Sequence, residues 1–413
     1  MKRLVFKFAG ISRSNNCHHW AASAQREALV RRIFVYVLLL CATSNVAAMN
    51  VYWGGVSFSD WENRQTKFPN IATMMCSGTC PDGHLNLWAL DALDQSAFQN
   101  FSVSMDYIDG RQIEGVIMTP MINAETISVY RDITDAKESF IHVYRVYASL
   151  VFFEFGTKRF ISARPVVMQY TDTRAEPASE ELRRETFRRL VEPGQLDTNL
   201  FIELFASASD VKPFSFSQKY ARIADINISD EAQSALTSIS NTDAWKDQVK
   251  RQFEAFLIES TNAPLVPAMG SDAMTSEFVA TFADASVTIN MPEEVPYSVA
   301  VSIENFRKIE RPDRRQKTLC HAVAIRLSVS GLLSELMNER LVRGRQSCSV
   351  VTIDKEPDDS YYFTLSLLSL LKQAADQFSE TPDKKFISST IEDSPDAEDG
   401  FRQAYRTAFK PEL

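Results

Sequence analysis

The chain has 413 residues, of which 45% are hydrophobic and 23% are charged, and its formal net charge is −9 at pH 7. These fractions are those of an ordinary globular protein. The excess of acidic residues repels phosphate backbones, so we expect no nucleic-acid partner.

Residues 31–48 have the pattern of an export signal. Arg31 and Arg32 precede an apolar run at 33–40, and small residues follow as far as Ala48. The run is shorter than the about 20 apolar residues that cross a bilayer. A basic flank, a short apolar core and a small-residue exit together make a cleavable secretory signal. We therefore expect cleavage after Ala48 and a periplasmic or secreted mature chain.

Two other interpretations of this segment stay open. Cys41 follows the run, as an acylated cysteine does in a lipid-anchored protein, although Leu40 is larger than the residue that usually precedes one. A buried strand or helix would also give a short apolar run. The first 48 residues hold seven basic residues and one acid, so their loss changes the totals from 44 and 53 to 37 and 52, a net charge of −15. We expect no transmembrane span in this mature chain.

Four cysteines remain after cleavage, namely Cys76, Cys80, Cys320 and Cys348. An even number of cysteines in an oxidising compartment indicates disulfides, and four cysteines allow three connectivities. We expect the two local pairs, Cys76 with Cys80 and Cys320 with Cys348, because each pair lies within one predicted domain.

The first predicted domain covers residues 49–194. Gly54 and Gly55 lie inside a strand at 51–58 and indicate a bulge or a close backbone approach. Ser179 is a good N-cap for a helix at 179–192. Further helices are predicted at 69–76 and 85–98, and alternating patterns predict strands at 101–108, 113–118, 126–130, 141–155 and 159–170.

A linker region is predicted at 195–240, with a short helix at 200–206 and a strand at 220–228, and the second domain covers 241–379. The spacing of Trp245, Val249 and Phe253 predicts a helix that starts at Asn241 or Thr242 and ends at Asn262. Strands are expected at 277–282, 286–291, 297–306, 319–329 and 347–353, with helices at 332–342 and from Asp358. Residues 380–413 are expected to be an acidic polar tail, disordered or loosely attached.

The predicted fold class is therefore α+β. It has two domains after a cleaved N-terminal signal segment, and each domain is a mainly antiparallel sheet packed against helices.

Cysteine and histidine side chains form the first candidate site. Cys76, Cys80 and His84 are spaced four and four, and thiolates and imidazole are ligands that zinc selects. A fourth ligand is missing nearby, and export favours a disulfide, so no metal or cofactor is predicted. His321 adjoins Cys320, but neighbours on a strand point to opposite faces. We therefore expect a packed core histidine there.

Paired carboxylates form the second candidate, because glycosidases use two such groups. Asp91 with Asp94 and Glu293 with Glu294 are neighbours in the sequence. In a chain this rich in acids such pairs arise freely, and a solvated surface explains them. The sequence contains no nucleophile elbow, zinc-protease helix, phosphate-binding glycine loop or dinucleotide fingerprint.

An aromatic hairpin is the third candidate. We predict a partner surface on the hairpin at 141–170, where the alternative is that its aromatic side chains fill the core. Pro165 would place the returning strand at a sheet edge, where a partner strand can pair. The residues of the predicted surface are Tyr144, Tyr147, Phe152, Phe153 and Phe155.

The predicted function is that of an exported, non-catalytic binding or scaffold protein of the cell envelope with a protein partner. The alternative is a secreted hydrolase that uses carboxylates, and a binder of small ligands is a third candidate. A cleft with converging polar groups and perturbed pKa values would favour catalysis, whereas an apolar patch or a bare sheet edge would favour binding.

Overall fold

The computed structural model of the chain describes residues 50–75, 85–105, 115–134, 137–212, 219–267, 277–282, 285–292, 295–343, 348–391 and 394–410. The predicted export signal, Cys41, Cys76, Cys80 and His84 lie outside these residues. None of the helices in the described ranges is both long and apolar enough to span a bilayer.

A six-stranded sheet forms the first half, in the order β3-β1-β4-β5-β6 with β2 beside β4. Strands β4, β5 and β6 form an antiparallel meander. Strand β1 pairs in parallel with β3 and β4, and β2 pairs in parallel with β4. Gly55 has a φ of +77°, a conformation that favours glycine, as the predicted irregularity there requires. The strands are β1 (Asn50–Trp53), β2 (Ser57–Phe58), β3 (Ser102–Ser104), β4 (Val116–Thr134), β5 (Lys137–Glu154) and β6 (Phe160–Arg174).

Strand β4 replaces the two separate strands predicted at 113–118 and 126–130. A bulge between Ile122 and Ala124 interrupts its pairing with β5. Residues 116–122 are buried and residues 123–128 are half-buried. Because a bulge inserts one residue and changes which side chains face each side, the sequence pattern breaks there although the strand continues.

Helices cover one face of this sheet. Ser179 caps α3 as predicted, since its Oγ accepts a hydrogen bond from the N–H of Leu182. In place of the helix predicted at 69–76, the described residues hold a single 3-10 turn, Ala72–Met74. The helices are α1 (Arg64–Lys67), α2 (Leu85–Asp94), α3 (Glu180–Val191) and α4 (Leu200–Ala206).

Both faces of the first sheet are buried at its centre. Phe152 packs with Phe187 and Phe201 in the core beneath the helices. On the other face, a hairpin of β8 (Glu277–Phe282) and β9 (Ala285–Asn290) brings Ile289 against Phe153.

A five-stranded sheet forms the second half, in the order β12-β11-β10-β7 with β13 beside β11. Its strands are β7 (Ala221–Ile228), β10 (Tyr297–Pro312), β11 (Gln316–Ser330), β12 (Glu335–Arg343) and β13 (Cys348–Thr352). Strand β7 runs parallel to β10, and the other pairs are antiparallel. The helices are α5 (Asp230–Ala235), α6 (Thr242–Thr261), α7 (Asp359–Ala375), α8 (Lys384–Thr390) and α9 (Ala397–Ala404), followed by a π-helical turn, Tyr405–Phe409.

Strand β11 has the two faces that its sequence predicts. One face is buried among the helices and carries His321, Val323, Ile325, Leu327 and Val329. The opposite face, which we call the outer face, carries residues such as Thr318, Ala322 and the exposed Arg326.

The prediction of a helix at 332–342 is wrong, because the chain turns at 331–334 and continues as strand β12. The N–H of Gly331 donates to the carbonyl of Ser334 and closes the turn. Leu333 is fully exposed at its tip, and Met337, Glu339 and Leu341 are buried at every second position, as in a strand with one inner face. Apolar residues at short spacing are ambiguous between helix and strand, and pairing with β11 decides the outcome.

The C-terminal segment is not a loose tail. Phe401 and Phe409 are fully buried and pack on Phe378, with ring centroids 5.0 and 4.9 Å away. The carboxylate of Glu380 accepts hydrogen bonds from Arg406 and Lys410, which hold its pKa below the usual value. The polar residues of this C-terminal segment lie on its exposed side, while its apolar residues pack against the core.

The described residues thus have the predicted α+β fold, with two sheets packed against helices. All of them from Asn50 onward belong to one compact unit. Within it, Asp358 links the halves, because its carboxylate accepts hydrogen bonds from the N–H of Arg131 on β4 and from Ser238 Oγ after α5.

Candidate functional site

The disulfide between Cys320 and Cys348 joins β11 to β13. The two residues lie directly opposite each other, with Cα atoms 4.0 Å apart, on the outer face of the second sheet. This confirms one of the two predicted pairs. The other pair, Cys76 with Cys80, lies outside the described residues.

Four exposed arginines lie along β10 and in the turn that follows it. Arg307 pairs with Ala322 and Arg311 with Thr318, so both point to the outer face. Arg314 and Arg315 lie in the turn that leads into β11. We call Arg307, Arg311, Arg314 and Arg315 the arginine surface.

The guanidinium groups of the arginine surface form no ion pair or side-chain hydrogen bond within the described part of the chain. Segment 307–317 contains six basic and two acidic residues. One acid, Glu310, lies 3.3 Å from Lys317 Nζ, and the other, Asp313, accepts a hydrogen bond from the backbone N–H of Arg314. A protein with an acidic net charge therefore carries a concentration of positive charge at this end of the second sheet.

Neighbouring arginines are neutralised. Glu304 lies 3.2 Å from Arg326 Nε and 2.6 Å from Arg340 Nε. A carboxylate can hold two guanidinium groups in this way. The arginine surface lacks such a partner among the described residues, which distinguishes it from the rest of the outer face.

Two exposed apolar residues lie beside the arginine surface. Val350 on β13 is 63% exposed and pairs with Thr318, which pairs on its other side with Arg311. Ile353 is 44% exposed, and its N–H donates to the carbonyl of Arg315 at 3.1 Å. This end of the sheet therefore combines positive charge with apolar surface.

His321 is a buried core histidine, as the sequence predicts. Its Nε2 lies 2.9 Å from Asp359 Oδ1, and its ring stacks on Tyr362 with centroids 5.1 Å apart. Lys308 Nζ lies 2.9 Å from the other oxygen of Asp359. Burial tends to raise the pKa of Asp359, but the hydrogen bonds from His321 and Lys308 outweigh it and hold the pKa below its usual value. The cluster ties β10 and β11 to the start of α7.

The aromatic residues proposed as a partner surface lie elsewhere. Tyr144, Tyr147, Phe152 and Phe153 are buried, and Phe155 is half-buried. In the described fold these four side chains are not exposed to a partner, because both faces of the first sheet are covered. Pro165 does lie on β6, an edge strand of the sheet, as predicted.

A polar cleft of about 1040 Å³ lies between the end of β12, the end of α7 and α8. Burial lowers the pKa of Arg343 on its wall. Its two carboxylates already have structural roles, since Asp383 caps α8 and Asp376 pairs with Lys372 at 3.1 Å. The other lining residues are Val342, Gln373, Gln377, Thr381, Lys385, Phe386, Ser388, Ser389, Thr390 and Ile391.

Of the acidic pairs considered for catalysis, only Asp91 with Asp94 lies in the described part of the chain, and it does not face a cleft. Asp91 and Asp94 are exposed on α2, and Glu293 and Glu294 lie outside the described residues. Within the ranges that the structure covers, no three histidine, cysteine or acidic side chains are grouped so that they could hold a metal ion.

The arginine surface was missed by the motif search, although the sequence carries its signal. The run from Arg307 to Lys317 is basic in an otherwise acidic chain. Its significance depends on which acids reach it, and only the folded arrangement shows that Glu304 and Asp359 neutralise other cations.

No family model and no curated protein matches the chain. Among solved structures, an "Ntf2 like protein involved in plasmid conjugation" aligns with 59% of this chain and 79% of its own, at 8% identity and a TM-score of 0.09. A TM-score this low carries no information about fold or function.

Proposed function

We propose that the chain is an exported, non-catalytic binding protein of the cell envelope and that it binds an acidic protein partner through the arginine surface. The observation that carries this proposal is the set of four exposed guanidinium groups that form no ion pair in the described part of the chain. Guanidinium groups bind carboxylates in bidentate geometry, and arginine is enriched in protein interfaces.

Export is supported by two features of the chain. Disulfides such as Cys320–Cys348 are typical of proteins in oxidising compartments outside the cytosol. The basic and apolar pattern of residues 31–48 is that of a secretory signal. Both features support a periplasmic or secreted location as part of this proposal.

Binding is favoured over hydrolysis by where the carboxylates lie. Asp91 and Asp94 face solvent on a helix, and the acids of the polar cleft cap a helix or pair with a lysine. A general acid or base requires a carboxylate aimed into a cleft with a matched pKa. The arginine surface, in contrast, is exposed and lies beside apolar side chains, as interface residues do.

A photo-crosslinking experiment tests the proposal in cells. A photoreactive amino acid is placed at Gln316, which is exposed beside the arginine surface, or at Glu185 on α3 as a control. We expect position 316 alone to give a discrete crosslinked product with an acidic protein. This product should be lost when Arg311→Gln and Arg315→Gln are added. Its persistence in that variant, or the same product from position 185, contradicts the proposal.

A further inference from the structure

Strand β13 is an edge strand with an open side. It pairs with β11, the one described strand beside it, over Cys348 to Thr352. An edge strand presents backbone N–H and C=O groups that can pair with another chain.

The register shows which backbone groups face this open side. Ile353 donates its N–H to Arg315 across the ladder, so it is a hydrogen-bonded position. In an antiparallel ladder such positions alternate with positions whose N–H and C=O point away from the neighbour. Val350 and Thr352 are therefore of the second kind. The 4.0 Å between the Cα atoms of Cys320 and Cys348, an even number of residues further along, agrees with a non-hydrogen-bonded pair.

Within the described ranges, three backbone groups of β13 are consequently without a partner on this side. Val350 offers its N–H and its C=O, and Thr352 offers its N–H, whereas the carbonyl of Thr352 accepts a hydrogen bond from Lys355. A strand placed opposite Val350 would form two hydrogen bonds with it and a third with Thr352.

As far as the structure describes the chain, this edge lacks the features that usually prevent strand addition. Strands protect their edges with proline, charged residues or a covering segment. The first sheet has Pro165 in its edge strand β6, and β7 is bridged by Leu265 at Ala221. Strand β13 contains neither a charge nor a proline, and its Val350 side chain is 63% exposed.

We propose that β13 is an acceptor strand, to which an extended acidic segment of the partner adds as a further strand of the second sheet. This rests on the proposed function and specifies the form in which the partner binds. Backbone pairing would supply affinity, Val350 and Ile353 would contact alternate apolar side chains, and the arginine surface would select acidic residues.

Charge favours an acidic segment over a second copy of the chain as the strand that adds to β13. Pairing of β13 with its own copy would place two arginine surfaces on one continuous sheet with no acidic group added, and like charges there disfavour association. An acidic segment brings the opposite charge to the same place. Arg315 is well placed for this role, since its carbonyl is bonded to Ile353 at the end of β13.

The test uses the full chain with its disulfide formed and a fluorescent peptide of about eight residues that alternates valine and glutamate. Binding is measured by fluorescence anisotropy for the wild type, Val350→Pro, Val350→Thr and Arg311→Gln/Arg315→Gln. Val350→Pro removes an outward N–H without removing a bond to β11, and Val350→Thr keeps both the N–H and the branched side chain.

We expect Val350→Pro to weaken binding about fivefold or more and Val350→Thr to change it less than about twofold. Hydrogen exchange in the wild type provides a second measurement, since the N–H groups of Val350 and Thr352 should exchange more slowly with the peptide bound. Slowed exchange supports strand addition even if Val350→Pro does not fold.

Other results overturn the inference. If Val350→Pro binds as tightly as the wild type while the arginine variant is weakened, strand addition fails and the proposed function stands. If neither variant changes binding, or if no peptide binds, both fail. A dimer in light scattering that Val350→Pro abolishes would show that the occupant is a second copy.

Discussion

Asp359, at the start of α7, connects three elements through its carboxylate. The carboxylate accepts hydrogen bonds from His321 on β11 and from Lys308 on β10. We expect Asp359→Asn to lower the free energy of unfolding by about 1–2 kcal/mol at about pH 7, because charged hydrogen bonds to a buried ring are lost. Urea denaturation measures the change. Asp354→Asn, at an exposed acid after β13, is the control and should change stability by less than about 0.5 kcal/mol.

The stabilisation by Asp359 should also depend on pH. Its pKa in the folded chain lies below the usual 3.8. A carboxyl with a lowered pKa stabilises the fold above its unfolded pKa, and this stabilisation is lost as the pH falls through the folded value. The stability difference between the wild type and Asp359→Asn should therefore shrink below about pH 4. A difference that stays constant from neutral to acid pH contradicts the assigned ion pair.

Local signals at single residues were predictable. Ser179, Asn241 and Asp358 cap their helices as the sequence indicates, because capping depends on neighbours within three residues. The link from Asp359 to His321 was not predictable. It depends on how α7 packs on β11, which local sequence does not encode.

Strand β13 is the element whose attachment can be tested most directly. It pairs with β11 over five residue pairs and is also bound to it by the disulfide, which closes a loop of 28 residues. We expect Cys320→Ser/Cys348→Ser to lose about 2–4 kcal/mol in urea denaturation. A reductant should lower the stability of the wild type by a similar amount. Stability that is unchanged by the double substitution contradicts the assigned role of the bond.

Elements with a strong period were predicted better than elements with a local break. The helix Thr242–Thr261 and strand β11 match their predicted bounds within about three residues, because each buries one continuous face. Strand β4 was divided in two by its bulge, and β12 was mistaken for a helix. In both cases pairing with a distant strand overrides the local pattern.

A substitution at Asp358 tests how much the link between the two halves stabilises the whole molecule. Its carboxylate caps α7 and also binds the N–H of Arg131 and the hydroxyl of Ser238. We expect Asp358→Ala to cost about 3 kcal/mol, because a cap and two buried hydrogen bonds are lost. Asp383→Ala removes a cap on α8 alone and should cost about 1 kcal/mol. Equal costs in thermal or urea unfolding contradict a link between the halves through Asp358.

At the scale of the whole molecule, the sequence predicted the fold class but not the order of strands. The two sheets and their helices follow from alternating and helical patterns. The parallel pairing of β7 with β10 joins segments that are far apart in the chain. Strand β13 lies in line with β12 on one side of β11, a position that the local sequence pattern does not encode. The arginine surface is exposed for the same nonlocal reason, since its neighbours are set by this order.

The most direct test of the account compares two variants of equal charge in binding an acidic peptide. Arg311→Gln/Arg315→Gln changes the arginine surface, and Arg184→Gln/Arg222→Gln removes two other exposed arginines. Affinity for a labelled oligoglutamate is measured at about 50 and about 300 mM salt. We expect the first variant to bind roughly fivefold more weakly at low salt and the second to match the wild type within about twofold. Equal weakening by both variants would mean that net charge alone governs binding and would contradict a specific site at the arginine surface.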